Sequence, residues 1–408
     1  MTSSFTWLDY SEQDKRKMLD VISLFSEKNT RDELGIGAVR DAFADLFFPG
    51  TSTIQTRARY FLFVPWIYLD LVKAKTPSNQ VAAKLRQREV ELINALAASG
   101  ETKGVIGIQA RAGLKRLPSN IYWYGLGAWG IRHFPGSQEE YHRSLNELYC
   151  LAGSIQRNDD GEPVEGRIAY NWHRGLPPAP AQFPQNANFG LTLTEAEYLA
   201  ERIVTQCPDS LLALLVARRL SASNAFAWSH PCVDQFPVHI QRQLHHARNF
   251  SETIQGAALL YNLLLAEQKQ AKDLTEQYRE ALQNWADQLA ARQSDLQQWN
   301  RKDFWKLMSV IGAPISLSTQ RFIQRWLSLA LEPQVAPAIA THPEARRCIQ
   351  EREAALKGGQ ARLSNPRSLE LWQGDSGIAQ LDYRWGATQR ILKDILAGLA
   401  QENVDVAA

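Results

Sequence analysis

The sequence predicts a mainly α-helical protein with two lobes and few short strands. Apolar residues recur at three- and four-residue steps in one segment after another, which is typical of helices that bury one face. Capping residues and Pro or Gly stops separate these segments, whereas alternating apolar and polar runs are scarce. A chain of 408 residues with 45% hydrophobic and 22% charged residues is long enough for two domains, each with its own core.

The first lobe is predicted to span residues 1–157. Ser11 caps its first helix, with Asp14 three residues later as a variant of the capping box, and Pro49 and Gly50 stop the second. Pro65 is expected to kink the third helix. Short strands are expected only within residues 104–109 or 164–172. The predicted helices are Ser11–Ser26, Ile36–Phe48, Thr53–Tyr68, Gln80–Ala98 and Glu139–Leu151.

A proline-rich connection is predicted at residues 158–190, followed by a second lobe at 191–408. Thr194 and Glu197 form the capping box that is expected to open this lobe. The predicted helices are Glu195–Gln206, Leu211–Leu220, one or two long helices from Glu252, then Arg321–Ala330, Glu344–Leu356 and Gln389–Leu399. An apolar seam predicts an intramolecular antiparallel helix pair; it contains Ala271, Leu274, Tyr278, Leu282, Trp285 and Leu289.

Cysteine spacing and apolar run lengths indicate a cytoplasmic protein that does not cross a membrane. The four cysteines, at 150, 207, 232 and 348, form no C-x-x-C pair and are expected to be reduced thiols. The N-terminal residues lack the apolar core of a signal peptide. The longest apolar run, Phe61–Leu69, is far shorter than the roughly 20 residues that span a bilayer.

The glycine-rich motifs favour packing and turns over chemistry. Gly125–Gly130 fits G-x-G-x-x-G, but no clean strand precedes it and Trp129 would crowd a pyrophosphate, so close helix packing is the better interpretation. Gly374–Gly377 resembles a serine-protease nucleophile loop without the β-barrel or the histidine that this chemistry requires, so we interpret it as a turn. The twelve tryptophans are likewise expected to be core residues rather than base-stacking platforms.

A cluster of histidines and a cysteine leaves metal binding open. His230, Cys232, His239, His245 and His246 lie close in sequence, but their spacing matches no standard zinc site. Adjacent helical residues point about 100° apart, so His245 and His246 are poor joint ligands. Polar or capping histidines are therefore favoured, and no metal, cofactor or catalytic residue is predicted.

The residues from Lys73 to Arg132 include ten basic and three acidic side chains, a net charge of +7 within a chain of +2. They surround a candidate helix–turn–helix, with a first helix at Ile108–Lys115 and a second that Ser119 caps. Phosphate and base contacts are predicted from Arg111, Lys115, Arg116, Ser119, Asn120 and Arg132. A solvated basic face is the alternative.

Arg57 and Arg59 are a second candidate for phosphate contact. They precede an apolar run in the segment TRARY, at residues 56–60. Two arginines two positions apart diverge on a helix, so a shared phosphate clamp would require an extended segment. An internal salt-bridge role is the equally weighted alternative.

The sequence resembles a bacterial family of unknown function. The segments that carry the resemblance are GTSTIQTRARYFLFVPWIY at 50–68, LPSNIYWYGLGAWGI at 117–131, LTLTEAEYLAERI at 191–203, and ARLSNPRSLELWQGDSG with LDYRW at 361–385. The resemblance implies a gene neighbourhood of anti-phage defence with helicases and nucleases, and it supplies no catalytic residues. The leading hypothesis is a non-enzymatic, nucleic-acid-associated accessory subunit, with DNA favoured over RNA and a helicase or nuclease as protein partner. The alternatives are a metal-dependent nuclease or other hydrolase with a dispersed active site, and a protein-only scaffold.

Overall fold

A computed structural model of the chain describes residues 32–153, 171–221 and 223–401. The helix predicted at Ser11–Ser26 lies outside these residues, as does most of the candidate strand at 164–172. Over the described ranges the protein is mainly α, as predicted. These ranges contain no β-strand, and their extended segments meet in an isolated antiparallel bridge between Arg132 and Trp172.

The described part of the chain contains fifteen α-helices. Most predicted helices there overlap one of them, whereas the helices at Arg301–Val310 and Pro366–Glu370 were not predicted. The fifteen helices are α1 (Gly37–Phe47), α2 (Tyr60–Lys73), α3 (Ser78–Ala98), α4 (Pro118–Ala128), α5 (Gln138–Gly153), α6 (Leu193–Gln206), α7 (Leu211–Ala217), α8 (Val238–Gln268), α9 (Lys272–Ala291), α10 (Gln293–Gln298), α11 (Arg301–Val310), α12 (Leu317–Ala330), α13 (Pro343–Lys357), α14 (Pro366–Glu370) and α15 (Trp385–Leu399).

The chain divides into two compact units, each built from two separate stretches. Unit 1 contains Met1–Phe43 and Gln241–Leu381, and unit 2 contains Ala44–Ile240 and Asp382–Ala408. The lobes predicted at 1–157 and 191–408 were consecutive in sequence, whereas both units are discontinuous. The described part of the predicted connection, residues 171–190, belongs to unit 2.

Two helices begin at residues other than those predicted, and the structure shows why. Helix α2 begins at Tyr60 instead of Thr53, because residues 56–58 are held in a non-helical conformation by contacts described below. Helix α6 is capped two residues earlier than predicted: the Thr192 hydroxyl accepts from the Glu195 amide at 3.2 Å, and the Glu195 carboxylate accepts from the Thr192 amide at 3.0 Å. The sequence LTLTEAE contains both capping frames, and only tertiary contacts distinguish them.

The core of unit 2 is aromatic and centres on α2. Ten of the fourteen residues of α2 are buried, including Phe61, Trp66 and Tyr68. The ring of Phe61 stacks on Trp129 with centroids 3.8 Å apart, and Tyr68 stacks on Trp172 at 5.4 Å. Of the tryptophans closest to Arg or Gly in sequence, the described positions are buried, which confirms the core interpretation: Trp66, Trp123, Trp129, Trp172, Trp372 and Trp385.

In unit 1, α8 and α9 form the antiparallel pair that the apolar seam predicts. Trp285 donates from its indole nitrogen to the Glu252 carbonyl at 2.7 Å, while Arg279 reaches back to Glu267 at 3.2 Å. A Cβ at Gly256 would lie 2.3 Å from the Trp285 ring, so the two helices approach too closely for any larger residue there. The seam residues Tyr278, Leu282, Trp285 and Leu289 are all buried.

Candidate nucleic-acid interface

The basic segment of unit 2 is organised around α3. One face of this helix is buried and includes Leu85, Glu89 and Leu92. On an edge of that face, Arg86 donates from Nη2 to the carbonyls of Ala112 and Leu114, at 2.7 and 2.8 Å. These bonds hold the following loop, residues 111–116, alongside α3.

A second arginine, Arg111 of the loop itself, also ties the loop to α3. Arg111 donates from Nη1 to the Asn94 side-chain oxygen at 2.7 Å, about two helical turns beyond Arg86 along α3. The two arginines therefore tie the loop to α3 at Arg111, Ala112 and Leu114. We call the resulting area the α3 basic surface and define it by Lys84, Arg86, Arg111, Lys115 and Arg116.

Three cations of the α3 basic surface are exposed, namely Lys84, Lys115 and Arg116. None of the three forms an ion pair with any residue in the described part of the chain. Arg86 and Arg111 are half-buried because their guanidinium groups bond to α3 and the loop. The surface therefore combines two positioning arginines with three solvated charges.

The three carboxylates of this segment leave those charges uncompensated. Glu89 is fully buried, and burial raises its pKa to about 7. Glu91 pairs with Arg88 at 3.0 Å, and Glu101 accepts from the Phe189 amide at 2.9 Å. Each acid is thus either buried or bonded to a group outside the α3 basic surface.

The predicted helix–turn–helix is not formed. Residues 108–110 are turns, and a single 3-10 turn, Arg111–Gly113, stands where a helix was expected at Ile108–Lys115. Gly104 and Gly107 adopt φ values of +90° and +80°, and Arg111 has a φ of +46°, none of which a right-handed helix permits. The expected first helix is therefore wrong.

The second helix of that motif, α4, forms, but Leu117 and not Ser119 is its N-cap, so the predicted cap is wrong. The N-terminus of α4 is also already occupied. Glu89 of α3 accepts from the Ser119 amide at 2.6 Å and from the Ser119 hydroxyl at 3.0 Å. Asn120 accepts from the Leu117 amide at 3.2 Å and donates to Gln138. Ser119 is fully buried, so the N-terminal turn of α4 is a core contact.

Arg132 is also engaged within unit 2. Its guanidinium lies 4.5 Å from the centre of the Trp123 ring and donates to the Trp123 and Gly136 carbonyls, each at 3.3 Å. Burial lowers the pKa of the guanidinium. The side chain stacks and bonds internally instead of standing free in solvent.

Arg57 forms a bidentate ion pair inside unit 2. Its Nε and Nη2 donate to the Asp394 carboxylate of α15 at 2.9 and 3.0 Å. Its guanidinium carbon lies 4.4 Å from the centre of the Phe189 ring, and Nη1 is 3.9 Å from Glu101. The side chain therefore joins α15 to two loops of the unit.

Arg59 also forms its hydrogen bonds and its ion pair within unit 2, and it is 6% exposed. Its Nη2 donates to the Glu195 carboxylate at 2.8 Å, and its Nη1 donates to the carbonyl and the side-chain oxygen of Asn188 at 3.0 and 2.9 Å. Glu195 is the same residue that completes the α6 capping box. Arg59 thus favours the Thr192–Glu195 frame over the alternative at Thr194.

The backbone between the two arginines is held by a buried tyrosine. The Tyr122 hydroxyl accepts from the Thr56 amide at 2.9 Å and donates to the Arg57 carbonyl at 2.9 Å. The Ala58 amide donates to Asp394 at 2.9 Å. Burial raises the pKa of Tyr122 to about 12. The segment 56–59 is a structural clamp, which realises the salt-bridge alternative for Arg57 and Arg59.

The glycine motifs are packing and turn features, as the sequence indicates. A Cβ at Gly125 would lie 2.3 Å from the Gly50 carbonyl, so α4 packs there backbone against backbone. The Ser376 hydroxyl of the second motif accepts from Arg362 at 3.0 Å and is buried. Gly374 and Gly377 both have positive φ, which is typical of a tight turn.

Two of the candidate metal ligands are satisfied by other partners. His246 accepts at Nδ1 from the Trp299 indole at 2.9 Å, so its proton lies on Nε2, which donates to Asp303 at 2.9 Å. His245 bonds to Asn249 at 3.0 Å. Across the described residues, no three His, Cys, Asp or Glu side chains are placed to hold a metal ion together.

A family model described as "Family of unknown function (DUF6361)" matches residues 2–398. The chain belongs to the DUF6361 family. Its clamp and its α3 basic surface both lie inside the matched region, and the match covers nearly the whole chain. Comparison with curated proteins and with solved structures returned no match. Among the helices described for this DUF6361 member, none combines the length and apolar character needed to span a bilayer.

Sequence reasoning missed the carboxylates that determine which arginines are free. Asp394 lies 337 positions from Arg57, Glu195 lies 136 positions from Arg59, and Glu89 lies 30 positions from Ser119. No local spacing rule connects residues at such separations. The sequence offers only a general rule, namely that a buried arginine needs an acid or other hydrogen-bond acceptors nearby, and this rule does not say which residues supply them.

Proposed function

We propose that this DUF6361 protein binds nucleic acid through the phosphate backbone, using the α3 basic surface. The observation that supports the proposal is the tethered loop. Arg86 bonds to the carbonyls of Ala112 and Leu114, and Arg111 bonds to Asn94, so the residues directly before Lys115 and Arg116 are tied to the helix that carries Lys84. Exposed cations that are already positioned gain phosphate contacts without first ordering a loop. Such contacts release counterions and provide affinity that does not depend on sequence.

The proposal assigns different roles to the eight residues predicted from sequence. Lys115 and Arg116 contact phosphate directly, and Arg111 positions them. Asn120 is exposed at the edge of the same loop and is within the proposed footprint. The other four side chains are structural: Ser119, Arg132, Arg57 and Arg59.

The wider role that we propose is that of a non-enzymatic accessory subunit in bacterial anti-phage defence, with a helicase or nuclease as partner. Support for this role is the resemblance of the segments around residues 50–68 and 117–131. Support for DNA as the ligand is the same neighbourhood of DNA-processing enzymes. Neither point depends on the α3 basic surface, so the two parts of the proposal are tested separately.

The decisive test of nucleic-acid binding is the salt dependence of affinity for a duplex DNA, measured by fluorescence anisotropy. Replacing Lys115 and Arg116 by Ala removes two phosphate contacts and is expected to reduce the slope of log affinity against log salt by about 2. The matched control is Lys302→Ala with Lys306→Ala, which removes the same charge from exposed positions of α11 in unit 1.

Binding that is unaffected by salt, or weakened equally by both double variants, would contradict the assignment. The comparison of duplex DNA, single-stranded DNA and RNA of one sequence then identifies the preferred ligand. Affinity for a helicase or nuclease without any affinity for nucleic acid would favour the scaffold alternative.

A further inference from the structure

The segment that joins α11 to α12 in unit 1 exposes apolar side chains to solvent. None of residues 309–318 is buried. Val310 is 74% exposed and Leu317 is 70% exposed, and the apolar residues between them are exposed or half-exposed. We call residues 309–318 the apolar tip. Its apolar members are Val310, Ile311, Ala313, Pro314, Ile315 and Leu317.

Exposure of this extent is uncommon in the protein. Four aliphatic side chains of the described residues are at least 70% exposed, and two of them belong to the apolar tip. The other two, Val238 and Leu371, lie in different units, so each is a single exposed position. Single exposed apolar residues are normal on a protein surface, whereas a contiguous apolar stretch indicates a contact surface.

The backbone donors of the apolar tip are already satisfied. The amides of Ile311, Gly312 and Ala313 donate to carbonyls of the last turn of α11, at 3.0 to 3.1 Å. Pro314 has no amide hydrogen, and the Ile315 amide donates to the Ala313 carbonyl at 2.8 Å. These five residues therefore present no free backbone donor, which is the condition for contact with hydrocarbon, where a donor finds no partner. A protein partner would not impose this condition, because its own carbonyls accept hydrogen bonds.

Exposed cations flank the apolar tip on both of its sides. On α11, Lys302 and Lys306 precede Val310 at four-residue steps, so these three side chains share one face of the helix. On α12, Arg321 follows Leu317 by four residues. All three cations are exposed, and none forms an ion pair with a residue in the described ranges.

The one nearby acid does not offset these charges. Asp303 is the single acidic residue between positions 301 and 325, and it is bonded to Arg242 and His246 of α8. The apolar tip therefore lies between uncompensated positive charges. This arrangement is complementary to a surface whose outer layer is anionic and whose interior is apolar.

We propose that the apolar tip docks on the surface of an anionic lipid bilayer. Val310 and Leu317 enter the boundary between headgroups and acyl chains, and Lys302, Lys306 and Arg321 contact the lipid phosphates. Such binding involves one leaflet and requires no spanning helix. The site lies in unit 1, and the inference does not rest on nucleic-acid binding by the α3 basic surface.

Flotation of the full-length chain with lipid vesicles tests the proposal. Vesicles of phosphatidylcholine alone are compared with vesicles of equal parts phosphatidylcholine and phosphatidylglycerol. Each cation near an anionic surface adds about fivefold in affinity, so three cations are expected to favour the anionic vesicles by about a hundredfold at low salt. Absence of binding to the anionic vesicles, or equal binding to both compositions, overturns the proposal.

Val310→Ser combined with Leu317→Ser tests the apolar contribution. The double variant is expected to bind anionic vesicles at least about tenfold more weakly, because two side chains no longer transfer from water to an apolar phase. Its melting temperature is expected to equal that of the parent, since both positions are exposed. Val238→Ser combined with Leu371→Ser is the matched control, with the same residue types at 80% and 76% exposure. Equal losses of affinity in the two double variants overturn the assignment.

Lys306→Ala combined with Arg321→Ala tests the charge contribution. The loss of two cations is expected to weaken binding to anionic vesicles by about twentyfold. The matched control is Lys272→Ala combined with Arg367→Ala, which removes one lysine and one arginine from exposed positions elsewhere in unit 1. Affinity that falls equally in both double variants reflects net charge alone and counts against the apolar tip.

Hydrogen exchange of the parent protein with and without anionic vesicles then locates the contact. Slower exchange is expected in peptides that cover residues 301–325, because the bound backbone is shielded from water. Protection confined to other peptides overturns the proposal. A dimer that forms without lipid, and that Val310→Ser with Leu317→Ser dissociates, assigns the apolar tip to a second copy of the chain and overturns it as well.

Discussion

Glu89 offers the clearest test of how unit 2 is held together, because the pKa of its buried carboxyl is raised from 4.5 to about 7. Glu89→Gln retains the shape of the side chain and its acceptor for the Ser119 amide but removes the ionisation. In the parent protein, ionisation of Glu89 favours the unfolded chain. Its contribution to stability is therefore fully present below about pH 4.5 and is lost as the pH rises through about 7.

The size of the loss of stability follows from the pKa shift of Glu89. A difference of about 2.5 pKa units corresponds to about 3 kcal/mol at a pH above both values, and most of it, about 2 to 3 kcal/mol, develops between about pH 5 and about pH 8. The free energy of unfolding of the parent, relative to Glu89→Gln, is expected to fall by that amount over this interval.

The assay is urea denaturation of both proteins at several pH values, followed by tryptophan fluorescence and far-UV circular dichroism. Glu91→Gln on the same helix is the control, because Glu91 is half-exposed and its ion pair with Arg88 is expected to contribute less than about 1 kcal/mol. A difference between parent and Glu89→Gln that stays constant with pH, or that grows in the parent's favour as the pH rises, would refute the reasoning.

Two further predictions concern the clamp and the start of α6. Asp394→Asn removes the bidentate partner of Arg57 and is expected to lower the free energy of unfolding, measured with denaturant, by about 2 to 3 kcal/mol. The control is Glu101→Gln, 3.9 Å from the same guanidinium, which is expected to lower it by less than about 1 kcal/mol. Equal losses in the two variants would contradict the clamp. Thr192→Ala is expected to lower stability by about 1 kcal/mol and Thr194→Ala to leave it unchanged by the same measurement, and the reverse order would support the other capping frame.

Helix positions were predictable because the information is local. The predicted helix at Gln80–Ala98 differs from α3 by two residues at its start, and the predicted helix at Glu344–Leu356 differs from α13 by one residue at each end. Apolar periodicity and capping residues act within a few turns, so one sequence is sufficient to read them. The α9 seam was found for the same reason.

The exposure of individual cations was not predictable, because it depends on partners far away in sequence. Arg57 and Lys115 look alike as basic residues near apolar segments, yet one is paired with Asp394 and the other is exposed. The burial of single polar atoms is non-local as well. Tyr198 follows an ordinary helical pattern, and only the tertiary structure shows that its hydroxyl is buried without a hydrogen-bond partner among the described residues.

The division of the chain into two discontinuous units could not be predicted from composition either. The proline-rich residues after Leu176 suggested a connection between lobes, but prolines on the surface of one unit give the same signal. The return of α15 into unit 2 is specified by the Arg57–Asp394 pair and by buried residues such as Ile391. Such pairings are tertiary information that one sequence does not display.

The central claim is that nucleic acid is bound by the α3 basic surface while Arg57 and Arg59 serve the fold. Cross-linking of the full-length protein to duplex DNA, with mass spectrometry of the attached peptides, tests it most directly. The account predicts cross-links in peptides from residues 79–94 and 109–120. Cross-links concentrated in the peptide that contains Arg57 and Arg59, or confined to unit 1, would contradict it.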